Sequence, residues 1–161
     1  MSDGVIRNRF LELCKHLKNK KTLLKFTIEH FDSEVEQMTV DNGGQQETEQ
    51  GWHFANFRYR GMIYIERLPG ETLALLALMI RAWLDEHDDT RNKYRLEQPV
   101  IETDDLGGGF VDVICEINFV DEVFLVESAT GPIEWRGGKF DLGEYPVNYA
   151  EGGDIGNVTT G

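Results

Sequence analysis

Asp85, His87, Asp88 and Asp89 fall in a run of five residues, and imidazole nitrogen and carboxylate oxygen are both donors to divalent cations. Neighbouring positions on a helix point in different directions, however, and an acidic helix exit is also what a solvated end looks like. A small metal-dependent hydrolase using Asp85, His87 and Asp89 is therefore only a remote alternative. Glu102, Asp104 and Asp105 could act as acid and base, but proton transfer needs a partner group in a shared cleft, and no such group is evident. Gly107, Gly108 and Gly109 lack the Lys and Ser or Thr that follow the glycines of a phosphate loop, so they read as a flexible connection. Trp52, Phe54, Phe57 and Tyr59, interleaved with Arg58 and Arg60, have the make-up of a stacking platform for single-stranded nucleic acid. The same alternation is what a half-buried strand looks like. Cys14 and Cys115 form no CxxC pair and read as reduced core thiols. These residues yield no catalytic set, no cofactor site and no metal site.

Charge narrows the partners. The 161 residues carry 29 Asp plus Glu against 16 Lys plus Arg, a formal −13, while 40% are hydrophobic, enough to build a core. Nonspecific attraction to phosphates needs a basic patch or stripe, so neither nucleic acid nor an anionic membrane suits the surface as a whole. No basic leader with an apolar stretch opens the chain, and the apolar run Leu73 to Ile80 is far below the ~20 residues that span a bilayer. The expectation is a soluble protein, intracellular at synthesis. The charge is also uneven. Arg7, Arg9, Lys15, Lys18, Lys20, Lys21 and Lys25 stand against Asp3 and Glu12 in the first 25 residues, a local +5 that leaves −18 on the rest. Such polarity fits a basic end of one copy meeting the acidic body of another.

The elements follow from periodicity. Ile6, Phe10, Leu13, Cys14 and Leu17 recur at steps of three and four, which predicts an amphipathic helix over 4–19, capped by Ser2 or Asp3. Leu24, Phe26 and Ile28 alternate with polar residues, which predicts a strand paired with Val35 to Val40 through a turn at Asp32-Ser33. Residues 41–51 contain no apolar residue and read as a loop. Phe57, Tyr59, Gly61, Ile63 and Ile65 line one side of a long strand, and Gly61 marks a bulge or a close approach. Leu73 to Leu84 leave almost no polar face, so this helix is buried nearly all round and has surface for a second helix or another subunit. A polar linker spans Thr90 to Pro99. Val111 to Phe119 alternate as a strand, a turn at Asp121-Glu122 leads to a return over Val123 to Glu127, and Gly137-Gly138 joins a last hairpin. The fold class is α+β, a mainly antiparallel sheet with an N-terminal amphipathic helix and a long central apolar helix packed against it. One domain over 1–142 is followed by a glycine-rich acidic tail, 143–161.

The segment LALLALMIRAWLDEH (Leu73 to His87), the strand Asp112-Val113-Ile114-Cys115-Glu116-Ile117 and the return VFLVESATGPI (Val123 to Ile133) resemble, in order and spacing, the R-type tail completion proteins of contractile-tailed bacteriophages. Lys25-Phe26-Thr27-Ile28 and Phe57-Arg58-Tyr59 fit the same order, and the resemblance covers about 5–142. It implies a structural virion protein without enzymatic activity: a tail terminator forming a ring of six copies at the head-proximal end of the tube, contacting the tail tube protein, the sheath protein and the neck or connector proteins. The host cytoplasm would be its place during assembly, and DNA would pass through the ring without specific binding. A neck or head-completion protein is the alternative. The subunit interface expected from this reading uses Leu76, Met79, Ile80 and Trp83 with the bases Arg7, Arg9, Lys18, Lys20 and Lys21.

Overall fold

The computed structural model describes residues 8–143. The chain forms two compact units. One comprises Asn8–Thr39 and Arg58–Val120, here the helix–sheet unit; the other comprises Val40–Phe57 and the chain from Asp121 onward, the β unit.

In the helix–sheet unit, α1 runs from Arg9 to Lys18 and buries Phe10, Leu13, Cys14 and Leu17. Its N-cap is Asn8, whose side chain accepts the Leu11 N–H, so the described helix begins later than the sequence pattern predicts. Ser2 and Asp3 lie outside the described residues. The expected strand at 24–28 is absent. Lys21–Leu24 is a single helical turn, α2, closed by Lys25 at φ 64°, with the Phe26 N–H donated back to the Lys21 carbonyl. A 3-10 turn follows at Ile28–His30. Leu24 and Phe26 are buried by this compact turn, which mimics in sequence the alternation of a strand. Asp32 and Ser33 belong not to a turn but to β1, Phe31–Asn42. After β3 (Gly51–Pro69) come α3 (Leu73–His87), α4 (Thr90–Lys93, inside the expected linker), β4 (Val100–Gly107) and β5 (Phe110–Glu127).

The sheet of this unit has the order β1-β3-β5-β4, with β4 and β5 antiparallel in the register Glu102↔Ile114 and Asp104↔Asp112. Odd-numbered positions of β3 and β5 make the core: Tyr59, Ile63, Ile65, Val113, Cys115, Ile117 and Phe119 are buried. The Phe10 ring of α1 lies against Phe119 at 5.9 Å and directly over Gly61, where a Cβ would overlap it. Gly61 is thus a close approach rather than a bulge, and full burial of a side chain such as Phe10 contributes roughly 1.5–3 kcal/mol. The helix α3 packs against α1 and α2. The tip of the β4–β5 hairpin passes through Gly107, Gly108 and Gly109, all at positive φ.

The expected turn at Asp121-Glu122 is also absent. Asp121 keeps the odd-numbered parity of Phe119 and Val123 and is 2% exposed, so β5 runs on without a break. In the β unit, β2 (Glu47–Thr48) pairs with the start of β3, giving the expected loop at 41–51 a short ladder of its own. The end of β5 pairs with β7 (Gly138–Leu142), which pairs with β6 (Ile133–Trp135) through the turn Arg136-Gly137, both at positive φ. The architecture is α+β with a predominantly antiparallel sheet. The expected tail from Glu144 to Gly161 lies outside the described residues.

Candidate interaction surfaces

The acidic exit of α3 is held by arginines. Arg9 of α1 donates through Nη2 to Asp89 at 2.9 Å and through Nε to the His87 carbonyl at 3.3 Å, and lies 4.0 Å from Asp88. A cation at a helix C-terminus is favourable, so Arg9 offsets the cost of acids placed there. The Asp88 carboxylate has no exposure, accepts from the Thr90 hydroxyl at 2.8 Å and lies 3.4 Å from Arg91 Nε. Burial pushes the Asp88 carboxyl above its ordinary range, against the opposing pull of Thr90, Arg91 and Arg9. Arg91 in turn donates to the carbonyls of Asn118 and Glu97. Asp85 is taken by Arg81 at 2.9 Å, and the His87 ring lies against Trp83 at 4.8 Å. Asp85, His87 and Asp89 are each engaged elsewhere, and no group of three metal-donor side chains converges among the described residues.

The helix–sheet unit has two outward faces of opposite sign. On the helices, Lys15, Lys18 and Lys21 are exposed beside Leu11 (57% exposed) and Leu23, while α3 adds Ala74, Leu75, Leu78 (66%) and Ala82. Lys18 sits 5.3 Å over the Phe31 ring, which locates this basic end above β1. The other face is the open side of the sheet. Even-numbered positions of β3 and β5 and their cross-strand neighbours place Glu66, Asp112, Glu116, Glu102 and Asp104 there, with Ile114, Val100 and Leu106 exposed among them. Of the two bases at even-numbered positions of β3 in this unit, Arg58 and Arg60, the second lies between Glu36 at 3.0 Å and Glu116 at 3.4 Å. Tyr64 donates to Glu34 at 2.6 Å, and that hydrogen bond pushes the phenol up to about 12. Next to Tyr64, an open concavity of ≈ 600 Å³ is lined by Glu29, His30, Phe31, Asp32 and Glu66.

The expected interface residues are divided by this geometry. Leu76, Ile80 and Trp83 are buried against the chain's own core, and Met79 is half-buried. Arg9 is tied to the α3 exit, Lys18 and Lys21 are exposed and Lys20 is half-exposed, while Arg7 lies outside the described residues. Leu11, Leu23, Leu75 and Leu78, and the acidic sheet face, are not among the residues expected from the sequence to form an interface. For α3, its nearly unbroken apolar stretch concealed which side faces out. The sheet face was legible as the even-numbered partners of the buried alternation.

The aromatic residues of β3 divide likewise. Tyr59 is buried and stacks on Phe119 at 5.6 Å, donating to Asn8. In the β unit, Trp52 and Phe54 lie at 5.6 and 5.0 Å from Trp135, with the Arg136 guanidinium 4.5 Å over Trp135. His53 accepts from the Gly44 N–H and pairs with Asn56 at 2.6 Å, fastening the 41–51 segment. These residues pack upon one another as a cluster rather than as a row of free rings. Both cysteines are buried, and burial pushes Cys14 up to about 11 and Cys115 up to about 12, which keeps both as unreactive thiols. No helix among the described residues is long and apolar enough to cross a membrane.

Comparison with known proteins bears on both units. The sequence profile of P2 phage tail completion protein R (GpR) matches residues 9–139. Over 128 residues the chain is 27% identical to a 19.2 kDa protein of the rep-hol intergenic region of Haemophilus phage HP1 (strain HP1c1), spanning 78% of this chain and 77% of that protein. No solved structure matches the chain.

Proposed function

From the premise that this chain belongs to the P2 phage tail completion protein R family, we propose that it is a tail terminator, a structural protein that closes the head-proximal end of the tail tube as a ring of six copies. Membership itself carries the coarser statement: the protein is a structural component of a phage tail and of the virion, working with other tail components. The observation that supports the ring is the exposure of Leu75 and Leu78 on α3 and of Leu11 and Leu23 on α1 and α2, the two helices packed against it, because exposed apolar side chains on adjoining elements suit a surface for another protein. In this reading the ring meets the tail tube protein on one side and neck or connector proteins on the other, and reaches the sheath protein at its rim. Arg7, Lys18, Lys20 and Lys21 then serve contacts between copies or layers, and Leu76, Ile80 and Trp83 support the exposed leucines of α3 from beneath. The engaged state of Asp85, His87 and Asp89 favours a structural role over a hydrolase. The net charge of −13 per copy suits a channel through which DNA passes without adhering, since like charge repels phosphate.

Electron microscopy of a lysate from phage lacking this gene tests the assignment. Full heads separate from tails, with tubes of irregular length, are the expected result. Tails of uniform length that stay unattached to heads would move the protein one layer up, to the neck. Intact virions would overturn a completion role altogether.

A further inference from the structure

The two outward faces of the helix–sheet unit are complementary, and complementary in two respects at once. The helical side carries Lys15, Lys18 and Lys21 with the exposed Leu11, Leu23, Leu75 and Leu78. The open sheet side carries Glu66, Glu102, Asp104 and Asp112 with the exposed Val100, Leu106 and Ile114. Among the described residues, none of Lys15, Lys21, Glu66, Glu102 or Asp104 has an ion-pair partner, so these charges are left over after the fold has satisfied its own. We propose that the acidic open sheet face of one copy docks on the basic helical face of the next, a head-to-tail contact between copies of this chain. The inference rests on the self-assembly proposed above and names the two surfaces that carry it.

The geometry selects this arrangement over its alternatives. The faces lie on opposite sides of one sheet: α1 covers Gly61 and Phe119 on one side, while Glu102 and Asp104 pair with the even-numbered positions of β5 on the other. A two-fold dimer would need both patches on one side to satisfy both at once. Opposite placement leaves one patch free after each contact, and repetition of such a contact gives a ring when the rotation closes. Pairing of the strand edges that are free among the described residues, β1 of one copy with β4 of another, is opposed by charge. The edge β1 carries Asp32, Glu34, Glu36 and Asp41, and β4 carries Glu102, Asp104 and Asp105, with no base on either. The concavity at Tyr64 has Glu29, Asp32 and Glu66 on its walls, a charge that suits a lysine from the neighbour.

Two full-length variants test this. One carries Lys15→Glu, Lys18→Glu and Lys21→Glu on the helical face; the other carries Glu66→Lys, Glu102→Lys and Asp104→Lys on the sheet face. Each alone sets like charge against like charge, so native mass measurement near 0.15 M salt should show each as a monomer, with association weakened about tenfold or more against wild type. Mixing the two restores opposite charge at every junction, so the mixture should assemble into rings containing equal numbers of both. Circular dichroism and thermal unfolding of each variant establish that it is folded. Assembly of either variant as tight as wild type, or a mixture that stays monomeric, overturns the inference while a wild-type ring leaves the terminator reading standing. A monomeric wild type overturns both.

Discussion

Two acidic regions of the helix–sheet unit look alike in sequence and behave as opposites. The run Asp85 to Asp89 at the end of α3 is met by Arg81, Arg91 and Arg9, with Asp88 fully buried among them. Glu102 and Asp104 on β4 face outward, and no cation answers them among the described residues. Acids supplied with bases from their own unit knit α1 to α3. Acids without bases are the surplus from which the −13 of the chain is made. Composition counts the two alike, so only the placement of arginines separates a structural charge from one available to a partner.

The sharpest way to break this contrast is Asp88→Ala. Removing a buried carboxylate leaves Arg91 charged and unpaired, and urea unfolding should show a loss of about 3 kcal/mol. Arg9→Ala should cost about 1 kcal/mol by the same measurement, because Asp89 is well exposed and its ion pair is screened, leaving mainly the helix-end interaction. The pH dependence of stability distinguishes the regions next. With its folded value raised by burial, Asp88 holds its proton better in the folded than in the unfolded chain. Its contribution is therefore fully present below the unfolded value and lost as pH rises through the folded one. A pH series on Asp88→Asn should lack that component of the slope. The smallest effect belongs to the other region: Asp104→Lys should alter stability by no more than about 0.5 kcal/mol, and in the favourable direction, since residue 104 stands opposite Asp112. A large destabilisation there would show that β4 carries structural charge after all.

Much of the core was legible in the sequence. Alternation over β3 and β5 fixed which residues face inward, and Gly61 stood out because a strand interior rarely leaves a position empty. The failures share a cause. Leu24, Phe26 and Ile28 have the spacing of a strand, yet Lys25 adopts a left-handed conformation that closes a helical turn, and nothing in the local pattern announces it. Asp121-Glu122 reads as a turn because charged residues usually break strands, whereas Asp121 is buried on the same parity as its neighbours. The candidate surface was harder still. Arg9 and Asp89 are separated by 80 residues, and the outward side of α3 depends on where α1 and α2 press against it. Long-range packing of this sort leaves no periodic trace.

The central claim is that unpaired charge on the two faces joins copies of this chain. Native mass measurement of the full-length protein across a salt series tests it most directly, because exposed charges more than about 3 Å apart are screened near 1 M salt. One closed oligomer, a hexamer, is expected at low ionic strength, giving way to smaller species as salt rises. A monomer at low ionic strength, or an oligomer indifferent to salt, would contradict it.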